Sequence, residues 1–137
     1  MNARKKQAMI HTEPDIIEPT PEMRQRLELF RKEHAGEELG GVGTRIIFED
    51  DRVRIWEMSL EPGEHTALHR HDHDYYLAIW SGDYVAGVTP EGSPVDSFVC
   101  KLPPEGNTVS IPKGGTEWAY NVGEKTYHEV LIELKRS

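Results

Sequence analysis

Residues 63–82 read GEHTALHRHDHDYYLAIWSG, and this stretch decides the fold. The chain has seven histidines in 137 residues, yet four of them, His65, His69, His71 and His73, fall between 65 and 73. An even spread would put fewer than one in such a window. On an extended strand, residues i and i+2 point to the same face, so the imidazoles of His69 and His71 converge on one point. Histidine is the commonest protein ligand for zinc, iron, copper and nickel. Spacing alone leaves two readings open, a metal site and a solvated histidine-rich loop. The run Tyr75–Trp80 that follows is β-rich and ends at the turn residues Ser81-Gly82-Asp83.

Outward from this stretch the same texture continues. Short β-rich runs cover Thr44–Phe48, Val53–Leu60, Tyr84–Val88, Ser97–Leu102, Thr108–Ile111, Glu117–Asn121 and His128–Leu134. Turn-forming clusters separate them, among them Pro62-Gly63, Pro90-Glu91-Gly92, Pro103-Pro104-Glu105-Gly106 and Lys113-Gly114-Gly115. Eight short strands at this spacing predict an all-β sandwich or barrel.

The N-terminal third differs. Residues 1–19 are polar, hold Pro14 and Pro19, and show no apolar period, so they read as a mobile arm with Ile16 and Ile17 available to pin it to a surface. Residues 20–35 read as one helix. Thr20 can cap it, Pro21 suits its first position, and Met23, Leu27 and Phe30 share one face. Gly36 is its stop. The expected division is 1–43 for arm and helix and 44–137 for the barrel domain.

Composition narrows the function. Sixteen Lys and Arg against 24 Asp and Glu leave a net charge of −8. A binder of polyanions needs surplus cations to release counterions, so neither nucleic acid nor an anionic membrane is an expected partner. No apolar stretch approaches the roughly 18 residues of a membrane span. The basic start, Arg4-Lys5-Lys6, is not followed by the apolar core of a secretory signal. With Cys100 as the single cysteine, no intrachain disulfide and no multi-cysteine zinc site can form. The expected location is cytoplasmic.

Two spaced patterns make the chain resemble a small single-domain cupin over roughly residues 44–134. The first cupin motif is G-x5-H-x-H, three or four residues, E, six residues, G, and Gly63, His69, His71 and Gly82 fall in place. The second is G-x5-P-x-G-x2-H-x3-N, and Gly106, Pro112, Gly114 and Asn121 fall in place. The resemblance implies a double-stranded β-helix, the cupin jelly-roll barrel, with a metal pocket inside. Two positions depart from it. Tyr75 stands at the glutamate position of the first motif, and Glu117 at the histidine position of the second.

Two imidazoles and one carboxylate still form a sound ligand set with open positions. His69, His71 and Glu117 are therefore the expected metal ligands, and Tyr75 and Glu117 the expected catalytic groups. Tyr75 donates or takes a proton or orients a substrate, and Glu117 is alternatively a base that touches no metal. His65 and His73 are reserve ligands. His11, His34 and His128 have no partner in sequence, and Cys100 has no adjacent base. Trp56, Trp80, Trp118 and Tyr84 are candidates for the barrel lining, with core packing as the other reading. The ion is divalent, and Fe, Mn, Ni, Co and Zn suit mixed nitrogen and oxygen donors alike.

The expected function is a metal-dependent enzyme of oxygenase, isomerase or lyase type acting on a small polar organic molecule. Its ion, with one anionic ligand, would favour an anionic substrate or bound hydroxide. The alternative is a cupin that holds a small ligand or a metal and does no chemistry. A homodimer is expected, because a sandwich of this size has edge strands that need cover.

Overall fold

A computed structural model describes residues 15–137. Its elements run β1 (Asp15–Ile17), α1 (Pro21–Glu33), β2 (Arg45–Glu49), β3 (Val53–Leu60), β4 (His69–Arg70), β5 (Tyr75–Ser81), β6 (Tyr84–Val88), β7 (Phe98–Lys101), β8 (Asn107–Ile111), β9 (Thr116–Asn121) and β10 (Tyr127–Leu134). The strands form two five-stranded sheets, in the orders β1-β7-β6-β9-β4 and β2-β3-β10-β5-β8. Every strand pairing in them is antiparallel. The architecture is all-β, a double-stranded β-helix with one short helix.

All eight runs read from the sequence are strands, with ends displaced by one residue at most. Two strands escaped that reading. β4 is only two residues long, too short for any period to show. β1 lies in the segment expected to be a mobile arm. Its register, Asp15 against Lys101, Ile16 against Cys100 and Ile17 against Val99, adds it to the edge of the first sheet. Residues 1–14, which hold His11, the basic start and the rest of that arm, lie outside the described residues.

The helix forms where its signals stand. Thr20 Oγ1 accepts the amide of Met23 at 3.1 Å, and Gly36 follows the end with φ +82°. Leu27 and Phe30 are buried against Leu68, Val88, Val99 and Trp118, with Met23 packed beside them. Phe30 is the anchor. Its ring stacks on His34 at 4.1 Å and on Tyr120 at 4.5 Å between centroids, and meets Trp118 edge-on at 5.5 Å. The helix thus covers the outer face of the first sheet. A second apolar cluster, built from Met58, Leu60, Ile79, Val85, Cys100 and Leu102, packs between the sheets.

Two residues of the second motif are structural. Asn121 is fully buried; its side-chain amide donates to the carbonyls of Leu60 and Lys125, both at 2.9 Å, and its oxygen accepts the amide of Gly123. One side chain therefore ties β9 to β3 and to the turn into β10. Gly106 adopts φ +89°, and a Cβ there would stand 2.5 Å from the carbonyl oxygen of Ile79, so only glycine lets the turn into β8 lie this close to β5.

Candidate metal centre and cavity

Strand pairing brings the two motifs together. β4 lies antiparallel to β9 with His69 directly opposite Glu117. β4 stops after Arg70, but His71 keeps the inward parity. Its backbone is gripped by the glycine turn of the second motif: its amide donates to Gly115 O at 3.1 Å, and its carbonyl accepts Gly114 N at 2.8 Å. The ligand atoms of His69, His71 and Glu117 all lie within 4.8 Å of one another. The two imidazoles meet nearly at right angles, 4.9 Å between centroids.

The protonation states suit a cation. His69 Nδ1 is 3.0 Å from the carbonyl oxygen of Ala67. A carbonyl only accepts, so Nδ1 carries the proton and Nε2 keeps its lone pair free. Burial lowers the pKa of His69. Burial, reinforced by the neighbouring His69, pushes His71 down to about 3. Both rings are neutral, as ligation requires. Glu117 shows the opposite strain: burial first, then the charge of Glu129, push it up to about 7. No described lysine or arginine offsets these effects. Glu117 is half-buried, and a carboxylate drawn out of water with no cation beside it is costly; a bound ion would relieve that cost. The donor set fits a divalent metal ion.

Tyr75 stacks on His71, 4.0 Å between centroids and 12° from parallel. Burial and the charges of Glu117 and Glu129 raise its pKa, so its phenol keeps its proton. These groups open into a cavity of about 430 Å³ between the sheets, within the range of small-molecule sites.

The structure redraws several sequence expectations. His65 and His73 line no part of the cavity; His65 packs edge-on against Phe30 instead. Trp56, Trp80, Trp118 and Tyr84 do not line it either. Trp118 points the other way on β9, under the helix, and Trp80 is exposed. The cavity's aromatic wall is Phe98, whose ring lies over Gly87; a Cβ on Gly87 would come within 2.4 Å of it. His34, which has no partner apparent in the sequence, contacts Glu37 at 2.9 Å, and that carboxylate also accepts from Trp118 Nε1 at 3.1 Å. Cys100 does reach the cavity, but burial pushes its thiol up to about 12, so it is no nucleophile.

Glu129 is the residue that sequence reading missed. It is 3% exposed, lines the cavity from β10, and accepts a short hydrogen bond from the phenol of Tyr127. Burial pushes its pKa up to about 7. On β10 Glu129 shares a face with Leu131, which also lines the cavity.

Known proteins of similar shape agree with this architecture. A cupin domain from Bordetella pertussis Tohama I superposes with a TM-score of 0.59 at 26% identity, over 73% of this chain and 99% of that one. A double-stranded β-helix protein from Methanocaldococcus jannaschii, described as an RmlC-like cupin family protein, gives 0.51 at 17% identity, over 69% and 93%. A cupin superfamily protein from Desulfitobacterium hafniense DCB-2 gives 0.50 at 21%, over 71% and 80%. No protein-family model and no curated protein matches the chain.

Proposed function

Because the chain belongs to the cupin superfamily, we propose that it is a metal-dependent cupin enzyme, holding one divalent ion on His69, His71 and Glu117 and converting a small organic molecule in the barrel. The observation that carries this reading is the convergence of two neutral imidazoles and one unpaired carboxylate within 4.8 Å. An ion held there supplies Lewis acidity or a redox centre inside a water-poor barrel. The carbonyl of Ala67 aims His69, and the glycine turn 113–115 places His71. Tyr75, stacked on His71 and protonated, offers a hydrogen bond or a proton to a molecule in the cavity. Glu117 serves as ligand and as a proton acceptor. Iron, manganese, nickel, cobalt and zinc all accept such mixed donors. The reaction is of oxygenase, isomerase or lyase type.

We further propose a homodimer and a cytoplasmic location. No helix among the described residues is long and apolar enough to cross a membrane.

Metal analysis of the purified protein tests the site. One equivalent of a transition metal is expected, and the His69→Ala/His71→Ala double variant should lose it while keeping the β spectrum in circular dichroism. Tyr75→Phe should keep the metal and lower turnover. Full metal occupancy in the double variant would refute the assignment.

A further inference from the structure

The walls of the cavity say what kind of molecule it takes. Most of the lining is hydrocarbon, including Leu77, Ile79, Leu102, Val109 and Leu131, with the ring of Phe98 as one wall. Three carboxyl groups face the same space: Glu117 at the metal site, Glu129 on β10 and Asp15 on the added strand β1. None of the lining residues is lysine or arginine.

From the sequence, the charge of the ion favours an anionic substrate. The lining turns that argument round. Glu117, Glu129 and Asp15 bring three carboxyl groups to this space, and no lining side chain brings a cation. An anion entering this space would lose its hydration and find no side-chain cation in return. An apolar body, in contrast, gains by leaving water for the aliphatic wall. Beside the candidate metal ligands stands a donor, the phenol of Tyr75, which calls for an acceptor oxygen on the guest.

We propose that the barrel takes an uncharged, mainly apolar organic molecule carrying one hydrogen-bond acceptor, such as a carbonyl oxygen, at its head, and discriminates against carboxylates. This rests on the metal-cupin reading only for where the head sits. The preference for a neutral guest comes from the walls alone and is read on protein stripped of any ion.

Equilibrium dialysis with three probes tests it on chelator-treated protein: hexan-2-one, hexanoate and oxalate. In chelator-treated protein hexan-2-one should bind at least about tenfold more tightly than hexanoate, and oxalate should not bind, because neither anion finds a cation in the wall. Glu129→Gln should narrow the ratio of hexan-2-one to hexanoate affinity at least about threefold by removing one carboxyl group from the wall. If that variant fails to fold, Asp15→Asn, on an exposed strand, makes the same test at the other acidic position. Phe98→Ala should weaken hexan-2-one about fivefold by removing apolar wall, with metal content unchanged. Tighter binding of hexanoate or oxalate to the stripped protein, or no binding of hexan-2-one, would overturn the proposal. A protein that holds no metal as purified yet prefers hexan-2-one would refute the metal site and leave this inference standing. A protein that holds metal as purified and, once stripped, prefers hexanoate would do the reverse.

Discussion

At the scale of single residues, the interior of the barrel holds charge where a plain core would hold hydrocarbon. Glu129 is the clearest case. Its pKa is pushed up to about 7 by burial, against an unfolded value near 4.3. A raised acid binds its proton more tightly in the folded state. Its contribution to stability is therefore present below the unfolded pKa and is lost as pH rises through about 7. Glu129→Gln mimics the protonated form and can still accept from Tyr127. In metal-free protein it should raise stability at pH 8 by on the order of 1–3 kcal/mol and change little at pH 4, as denaturant titrations at the two pH values would report. Equal effects at both pH values would mean that Glu129 is not held protonated by the fold.

The same residue marks a limit of sequence reading. Along Tyr127–Leu134 a simple alternation rule turns the aliphatic Val130 and Ile132 inward and the glutamates outward. The structure does the reverse, burying Glu129 and Glu133 with Leu131. Glu133 is stabilised there by Trp56 Nε1 at 2.5 Å and by Arg54 at 3.8 Å. These partners are about 77 residues away in sequence, so no local pattern could announce them. His69, His71 and Glu117 were legible for the opposite reason: motif glycines and prolines fixed their register from both sides.

At the scale of elements, the eight longer strands and the helix were readable because each carries its own period and its own punctuation. β1 was not, since its three residues gain their conformation only by pairing with β7. The helix raises a question about the boundary between residues 1–43 and 44–137. Leu27 and Phe30 share one cluster with Val88, Val99 and Trp118, which belong to the barrel sheet. Phe30→Ala should therefore cost about 3 kcal/mol, the usual range for losing a buried aromatic ring, and should shift one cooperative unfolding transition without splitting it. Two separate transitions, or a cost below about 0.5 kcal/mol, would show that the helix folds apart from the barrel.

At the scale of the whole molecule, the outer edge of the second sheet stands out. All five residues of β2 are exposed, and Ile46, Ile47 and Phe48 are each about half accessible to solvent. An apolar edge strand with a free backbone invites pairing. Set antiparallel to a second copy about Ile47, it would place Arg45 against Glu49 and Ile46 against Phe48 of the other chain. The proposed homodimer should then appear in light scattering at micromolar concentration, and Ile47→Lys should convert it to a monomer with metal content unchanged. A wild-type monomer would refute the dimer, and a dimeric variant would refute this edge.

Strand β9 serves two masters at once. Glu117 and Ala119 look into the cavity, while Trp118 looks out to Phe30 and to Glu37. Point substitutions can adjust either side independently. The insertion or deletion of one residue cannot, because it would trade the two faces, sending the indole into the cavity and the carboxylate under the helix. Over evolutionary time this strand should drift in letters and never in length. Natural variation in the number of residues should collect instead in the loops outside it, such as 89–97, where no side chain has to keep step with both a ligand set and a hydrophobic seam.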